Sequence, residues 1–99
     1  MIKRSLFIEG REWFDRSAGS TYFSARIWVD GSEVATIGLS YGYGDSYLYE
    51  AQKKLLELGY LKQDTKNAAL SSIARSEGFD FYTVKTLGRK KDLFRTEVV

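Results

Sequence analysis

The stretch STYFSARIWVDGSEVATIGLSYGYGD, from Ser20 to Asp45, constrains the fold of this chain most. Two runs of alternating side chains flank an Asp-Gly pair, the strongest short-range signal for a β-hairpin. The spacing predicts a strand over Thr21–Val29, a turn at Asp30-Gly31 and a strand over Glu33–Tyr41. A glycine-tyrosine corner then breaks the extended chain, and Asp45 opens a helix. On the first strand Phe23, Ala25, Ile27 and Val29 point one way, while Tyr22, Ser24, Arg26 and Trp28 point the other. The first set is core. The second places aromatic rings on either side of an arginine, where a solvated face needs only polar groups. Tyr22, Arg26 and Trp28 are therefore candidate binding residues, because Trp, Tyr and Arg dominate interface energetics and rings also stack on bases. The alternative is a second core, with the second helix or a terminal hairpin lying over them.

The remaining elements follow from periodicity. Ile2 to Ile8 reads as a strand, with Glu9-Gly10 turning it or Gly10 forming a bulge in a longer one. Trp13 and Phe14 are adjacent, so on a strand one of them faces away from the main core. Ala35, Ile37, Leu39 and Tyr41 form the apolar side of the strand after Asp30-Gly31. Leu48, Ala51, Leu55 and Leu58 make a continuous helical stripe, with Asp45 as N-cap and Gly59 as a left-handed C-cap over which Tyr60 and Leu61 fold back. Phe23, Ile27, Val29, Ile37, Leu39, Leu48, Leu55 and Leu58 are the expected core. A second helix is predicted over Thr65–Glu77, capped by Asp64 and ended at Gly78. Phe79–Leu87 and Asp92–Val99 read as strands of a closing hairpin. The predicted architecture is one α+β domain over residues 1–99, with a three- or four-stranded antiparallel sheet, two helices and a C-terminal β-hairpin.

Composition narrows function mainly by exclusion. The 99 residues contain no histidine and no cysteine. This removes disulfides, a thiol nucleophile, imidazole acid–base chemistry and Cys/His zinc sites. The acids Asp15, Asp30, Asp45, Asp64, Asp80 and Asp92 stand where carboxylates cap helices and close turns. A carboxylate-dependent hydrolase is thus the remotest reading; no catalytic residue, metal or cofactor is assigned. The formal charge of +2 is too even to announce a nucleic-acid partner by itself. No apolar run approaches a membrane span and nothing at the start resembles a signal peptide, so the cytoplasm is the expected location. An aromatic content of 15% exceeds what a small core consumes. Together with strand edges of which only one has a clear charge cluster, it leads to the expectation of a symmetric homodimer.

Two further features are candidates. Ser40-Tyr41-Gly42-Tyr43-Gly44-Asp45 either presents free amides to an anion or is a tight structural corner; no Lys or Arg lies within it, and Asp45 opposes an anion there. Tyr43 and Tyr47 are expected at the margin of the Tyr22–Trp28 face, and Tyr47 and Tyr49 cannot both lie on the Leu48 stripe. The turn Arg89-Lys90-Lys91 either touches phosphates or is a solvated turn guarding a sheet edge.

Trp13-Phe14, Gly19-x-Thr21-Tyr22, Val29-Asp30-Gly31 and Tyr41-Gly42-Tyr43-Gly44-Asp45-x-Tyr47, in that order, resemble a group of small proteins encoded by tailed phages and prophages. The resemblance covers about residues 11 to 61, and Tyr-Gly-Tyr-Gly-Asp is its most specific piece. It carries no activity with it; it implies a short protein without catalytic residues that occupies a host protein's surface as an inhibitor or adaptor, similar in size and in absence of chemistry to anti-CRISPR and other anti-defence proteins, in the cytoplasm of the host cell. Many such inhibitors are acidic nucleic-acid mimics. At +2 this chain departs from them, which favours aromatic and mixed-charge contacts with a host protein. The other function read from the sequence is nucleic-acid binding by the strand face and the basic turn.

Overall fold

A computed structural model describes residues 4–62 and 69–93. β1 (Arg4–Asp15), β2 (Ser20–Val29) and β3 (Ser32–Tyr41) form a meander, followed by α1 (Ser46–Leu58), α2 (Leu70–Ser76), β4 (Phe79–Leu87) and a 3-10 turn at Lys90–Asp92. The sheet order is β3-β2-β1-β4. β1–β2 and β2–β3 are antiparallel, but β4 runs parallel to β1, with Leu6 beside Phe81 and Ile8 beside Thr83. The sheet is therefore mixed, which corrects the expectation of a wholly antiparallel one. A parallel return needs a crossover of a dozen or more residues. The helices between Tyr41 and Phe79 supply it, carrying the chain from one sheet edge to the other across a single face. Of the expected closing hairpin, the strand start at Asp92 is replaced by the 3-10 turn, and residues 94–99 lie outside the described residues.

Both helices bury their apolar sides on the same face of the sheet. Tyr47, Ala51 and Leu55 of α1 and Leu70, Ile73 and Ala74 of α2 join Leu6, Ile8, Phe23, Ala25, Ile27, Val29 and Phe79 in one buried cluster. α1 ends as its sequence predicts: Gly59 is left-handed, the Tyr60 amide donates to the Leu55 carbonyl, and Leu61 is buried. Its start differs. Asp45 occupies the N-cap position, but its side chain makes no capping bond. α2 begins at Leu70 because Ala69 is extended, so no helix passes through Ala69 from Thr65; Asp64 and Thr65 lie outside the described residues.

Three further differences have physical causes. β1 neither turns nor bulges at Gly10, which pairs regularly with Ala25. The glycine is there because the Tyr47 ring fills the space of a side chain: a Cβ would stand 2.6 Å from Tyr47 Cδ2. Tyr47 consequently belongs to the core, and the buried side of α1 is Tyr47, Ala51, Gln52 and Leu55, rotated from the expected stripe. Leu48 is only partly buried and Leu58 is exposed. On β3, Ala35 and Ile37 pack on the core, but a register shift opposite Phe23 and Ala25 breaks the alternation. Beyond it Ser40 faces Phe23, and Leu39 and Tyr41 are exposed rather than core.

The Asp-Gly hairpin forms as its sequence predicts. Asp30 and Gly31 have φ of 52° and 84°, the doubly left-handed turn that matches strand twist. Asp30 also ties this turn to β1. Its carboxylate accepts the Ser5 amide at 3.0 Å and Arg4 Nε at 3.2 Å. The Ser5 amide, then Arg4, holds the Asp30 carboxyl below its ordinary value of 3.8. A lowered carboxyl pKa contributes stability above the unfolded value, and that contribution is lost as pH falls through the folded one. Thermal melts between about pH 5 and pH 2 should therefore fall more steeply for the parent than for Asp30→Asn, which tolerates the same backbone conformation. Parallel curves for the two chains would show that the turn carboxylate is not linked to folding.

Candidate functional site

Pairing register places a second set of side chains on the sheet face away from both helices. Trp13 lies opposite Tyr22, and Tyr22 opposite Tyr41. The Trp13 and Tyr22 rings stack at 5.4 Å between centroids, and Tyr41 meets Tyr22 edge-on at 5.8 Å. Near the other end of the strands Phe7 has Trp28 on one side and Tyr82 on the other. Between these aromatic rows runs a belt of charged and small polar groups. Glu9 pairs with Arg26, Arg26 with Thr36, and Arg11 with Ser24. Arg11 Nη2 lies 3.8 Å from Glu9 Oε2, and Arg26 Nε lies 3.5 Å from Glu33 Oε1. The belt thus carries its positive charges beside negative ones.

α2 does not cover this face, since its buried residues belong to the opposite cluster. The terminal hairpin expected as the other cover lies largely outside the described residues. Tyr22, Arg26 and Trp28 are half-buried and Ser24 is fully buried, whereas Tyr41 and Tyr82 are 73% and 60% exposed. The indole N–H of Trp28 is buried without an acceptor among the described residues.

The remaining candidates are dispersed. Tyr47 does not border the face; it is buried on the helix side, its hydroxyl 2.7 Å from Thr83 Oγ1. Tyr43 and Tyr49 are exposed and, with Tyr41, flank a cleft of about 510 Å³ at the sheet edge. The glycine corner is structural. A Cβ at Gly42 would lie 2.8 Å from Ser46 Oγ and 3.0 Å from Phe23 Cε1, while the Gly44 carbonyl accepts from Lys85 Nζ at 3.0 Å. Arg89, Lys90 and Lys91 stand beyond the end of β4, exposed, with Lys90 Nζ 5.8 Å from the centre of the Trp13 ring. Asp15 is a turn residue: its Oδ1 accepts from the Ser17 hydroxyl at 2.7 Å and from the Ser17 amide at 3.0 Å. Among the described residues no group of His, Cys, Asp and Glu is placed to hold a metal ion, and no helix is long and apolar enough to cross a membrane.

Phe7, Trp13, Tyr41 and Tyr82 belong to the aromatic rows although the sequence alone does not single them out as a surface. Register connects them. Alternation sorts Tyr22 from Phe23, but only the β1–β2 and β1–β4 pairings bring Trp13, Phe7 and Tyr82 to the same side. No family model matches the chain, and no curated protein or solved structure matches it.

Proposed function

We propose that this chain is a protein-binding module whose contact surface is the helix-free sheet face, acting by covering a surface of a host protein as an inhibitor of a defence complex does. The observation that carries the reading is two aromatic rows flanking a belt in which Arg11 and Arg26 stand beside Glu9 and Glu33. Aromatic anchors with arginine dominate protein interfaces. A nucleic-acid backbone would meet Glu9 and Glu33 together with the guanidinium groups, and the electrostatic gain that drives phosphate binding would be largely cancelled.

The test is capture of partners from a bacterial lysate, with and without nuclease, by the parent and by Trp28→Ala. The parent should retain a protein that survives nuclease. Trp28→Ala should weaken that complex by about 2 kcal/mol, roughly 30-fold in Kd, while lowering the melting temperature far less than a helix-side core truncation. Capture that nuclease abolishes, together with steep salt dependence, would transfer the face to nucleic acid. A variant that melts well below the parent while its folded fraction binds normally would assign Trp28 to structure.

A further inference from the structure

The corner after β3 holds a ring outward on a fixed backbone. The Gly42 amide donates to the Thr21 carbonyl at 3.0 Å, and a side chain at Gly42 would run into Ser46 and Phe23. Ser46 Oγ donates to the Tyr43 carbonyl at 2.8 Å, and Lys85 Nζ donates to the Gly44 carbonyl at 3.0 Å. The backbone is thus pinned on both sides of Tyr43, while the ring itself is 74% exposed. A tight turn needs glycine and small polar residues, not a ring. With Tyr41, Tyr49, Asp45 and Glu50, Tyr43 lines the cleft of about 510 Å³ between the end of β3 and the start of α1.

The polar groups of this cleft favour a cation. Its lining includes two carboxylates and no Lys or Arg. Glu50 has Lys53 Nζ 3.7 Å away, and the same ammonium lies 5.8 Å from the centre of the Tyr49 ring. That acid and that ring are already in use. Asp45 is not: it is exposed, makes no capping bond and has no hydrogen-bond or ion-pair partner among the described residues. Lys85, which reaches the corner at Gly44, is shared with Glu12. An anion finds few donors here, because the amides of Ser46, Leu48 and Tyr49 already bond to the carbonyls of Tyr43 and Asp45. We propose that the cleft binds an arginine side chain of a partner protein, its guanidinium donating to the Asp45 carboxylate and stacking on the Tyr43 ring, with Tyr41 beside it. Arginine is favoured over lysine because its planar fork serves a carboxylate and a ring face at once. A quaternary ammonium suits the rings but has no hydrogen to give Asp45. The cleft shares only Tyr41 with the aromatic sheet face, so failure of one leaves the other standing.

The test titrates the protein with an N-acetylated Gly-Arg-Gly peptide amide and follows the ring NMR signals of Tyr41, Tyr43 and Tyr49. Saturable binding is expected with a Kd on the order of 1 mM, the affinity of one cation on exposed rings beside one carboxylate. Asp45→Asn keeps the shape of the side chain and remains a good N-cap residue; it should weaken binding about tenfold. Tyr43→Ser should weaken it about fivefold, read at Tyr41 and Tyr49. Both positions are exposed, and both melts should match the parent's. Replacing the peptide's arginine by citrulline, its uncharged isostere, should abolish binding, and lysine should bind more weakly. No saturation by about 20 mM peptide would overturn the proposal, as would an unchanged Kd in either variant. Equal affinity of the citrulline or lysine peptide, or tighter binding of a trimethyllysine peptide, would overturn it too. So would shifts as large at Tyr82, on the other edge strand, as at Tyr43, or tyrosine signals that move on simple dilution and so report a second copy.

Discussion

Truncating Tyr47 to alanine is expected to cost the fold about 3–5 kcal/mol, whereas Tyr47→Phe should cost only about 1 kcal/mol. The ring is 5% exposed, lies on Gly10, and bonds through its hydroxyl to Thr83, so it joins α1 to β1 and β4 at once. Lys85, 5.8 Å from the ring centre, bonds to Glu12 and the Gly44 carbonyl and closes the site from the sheet end. A sharper outcome concerns Gly10. In the parent, Gly10→Ala forces its Cβ into the Tyr47 ring and should destabilise by about 1–3 kcal/mol. In a Tyr47→Ala background the ring is gone, and the same change should stabilise by about 0.5–1 kcal/mol, because alanine restricts an extended chain more than glycine. Urea denaturation of the four chains in this cycle reads the change of sign directly. If Gly10→Ala costs the same in both backgrounds, ring and glycine are not coupled.

This pair also shows where sequence reasoning stops. Asp30-Gly31 and Gly59 are legible because the chemistry is local: left-handed backbone is inexpensive at these residues and nearly forced by the turns they make. The Tyr47–Gly10 fit is not local. Periodicity assigned Leu48 to the stripe on hydrophobicity, since nothing near Tyr47 announces that a side-chain-free position waits on another strand and Thr83 on a third. Strand direction was hidden for a related reason. Phe79–Leu87 alternates identically whether it runs parallel or antiparallel to β1, and two helices before it leave its direction open. The candidate face was half legible. Alternation separated Tyr22, Arg26 and Trp28 from the core, but the register shift on β3 moved Tyr41 onto their side and exposed Leu39 at the edge. Tyr47, read as part of the same surface, lies across the sheet from it.

The second large effect separates two leucines on one helix. Leu55 is fully buried and belongs to the cluster that joins both helices to the sheet, whereas Leu58, one turn later, is 47% exposed. Leu55→Ala should therefore cost about 2–5 kcal/mol, and Leu58→Ala about 0.5 kcal/mol or less. The sequence stripe alone assigns them equal burial. The difference arises because burying the Tyr47 ring turns α1 toward the Tyr47–Ala51–Leu55 line, which leaves Leu58 off the buried side. Against a stability of about 5–15 kcal/mol for a domain of this size, Leu55→Ala should move the urea midpoint far below the parent's, while Leu58→Ala should nearly superimpose on it. Equal losses at the two positions would mean that α1 sits on the sheet through the stripe its sequence suggests. A loss at Leu55 under about 0.5 kcal/mol would mean that the Leu55 side of α1 does not face the sheet at all.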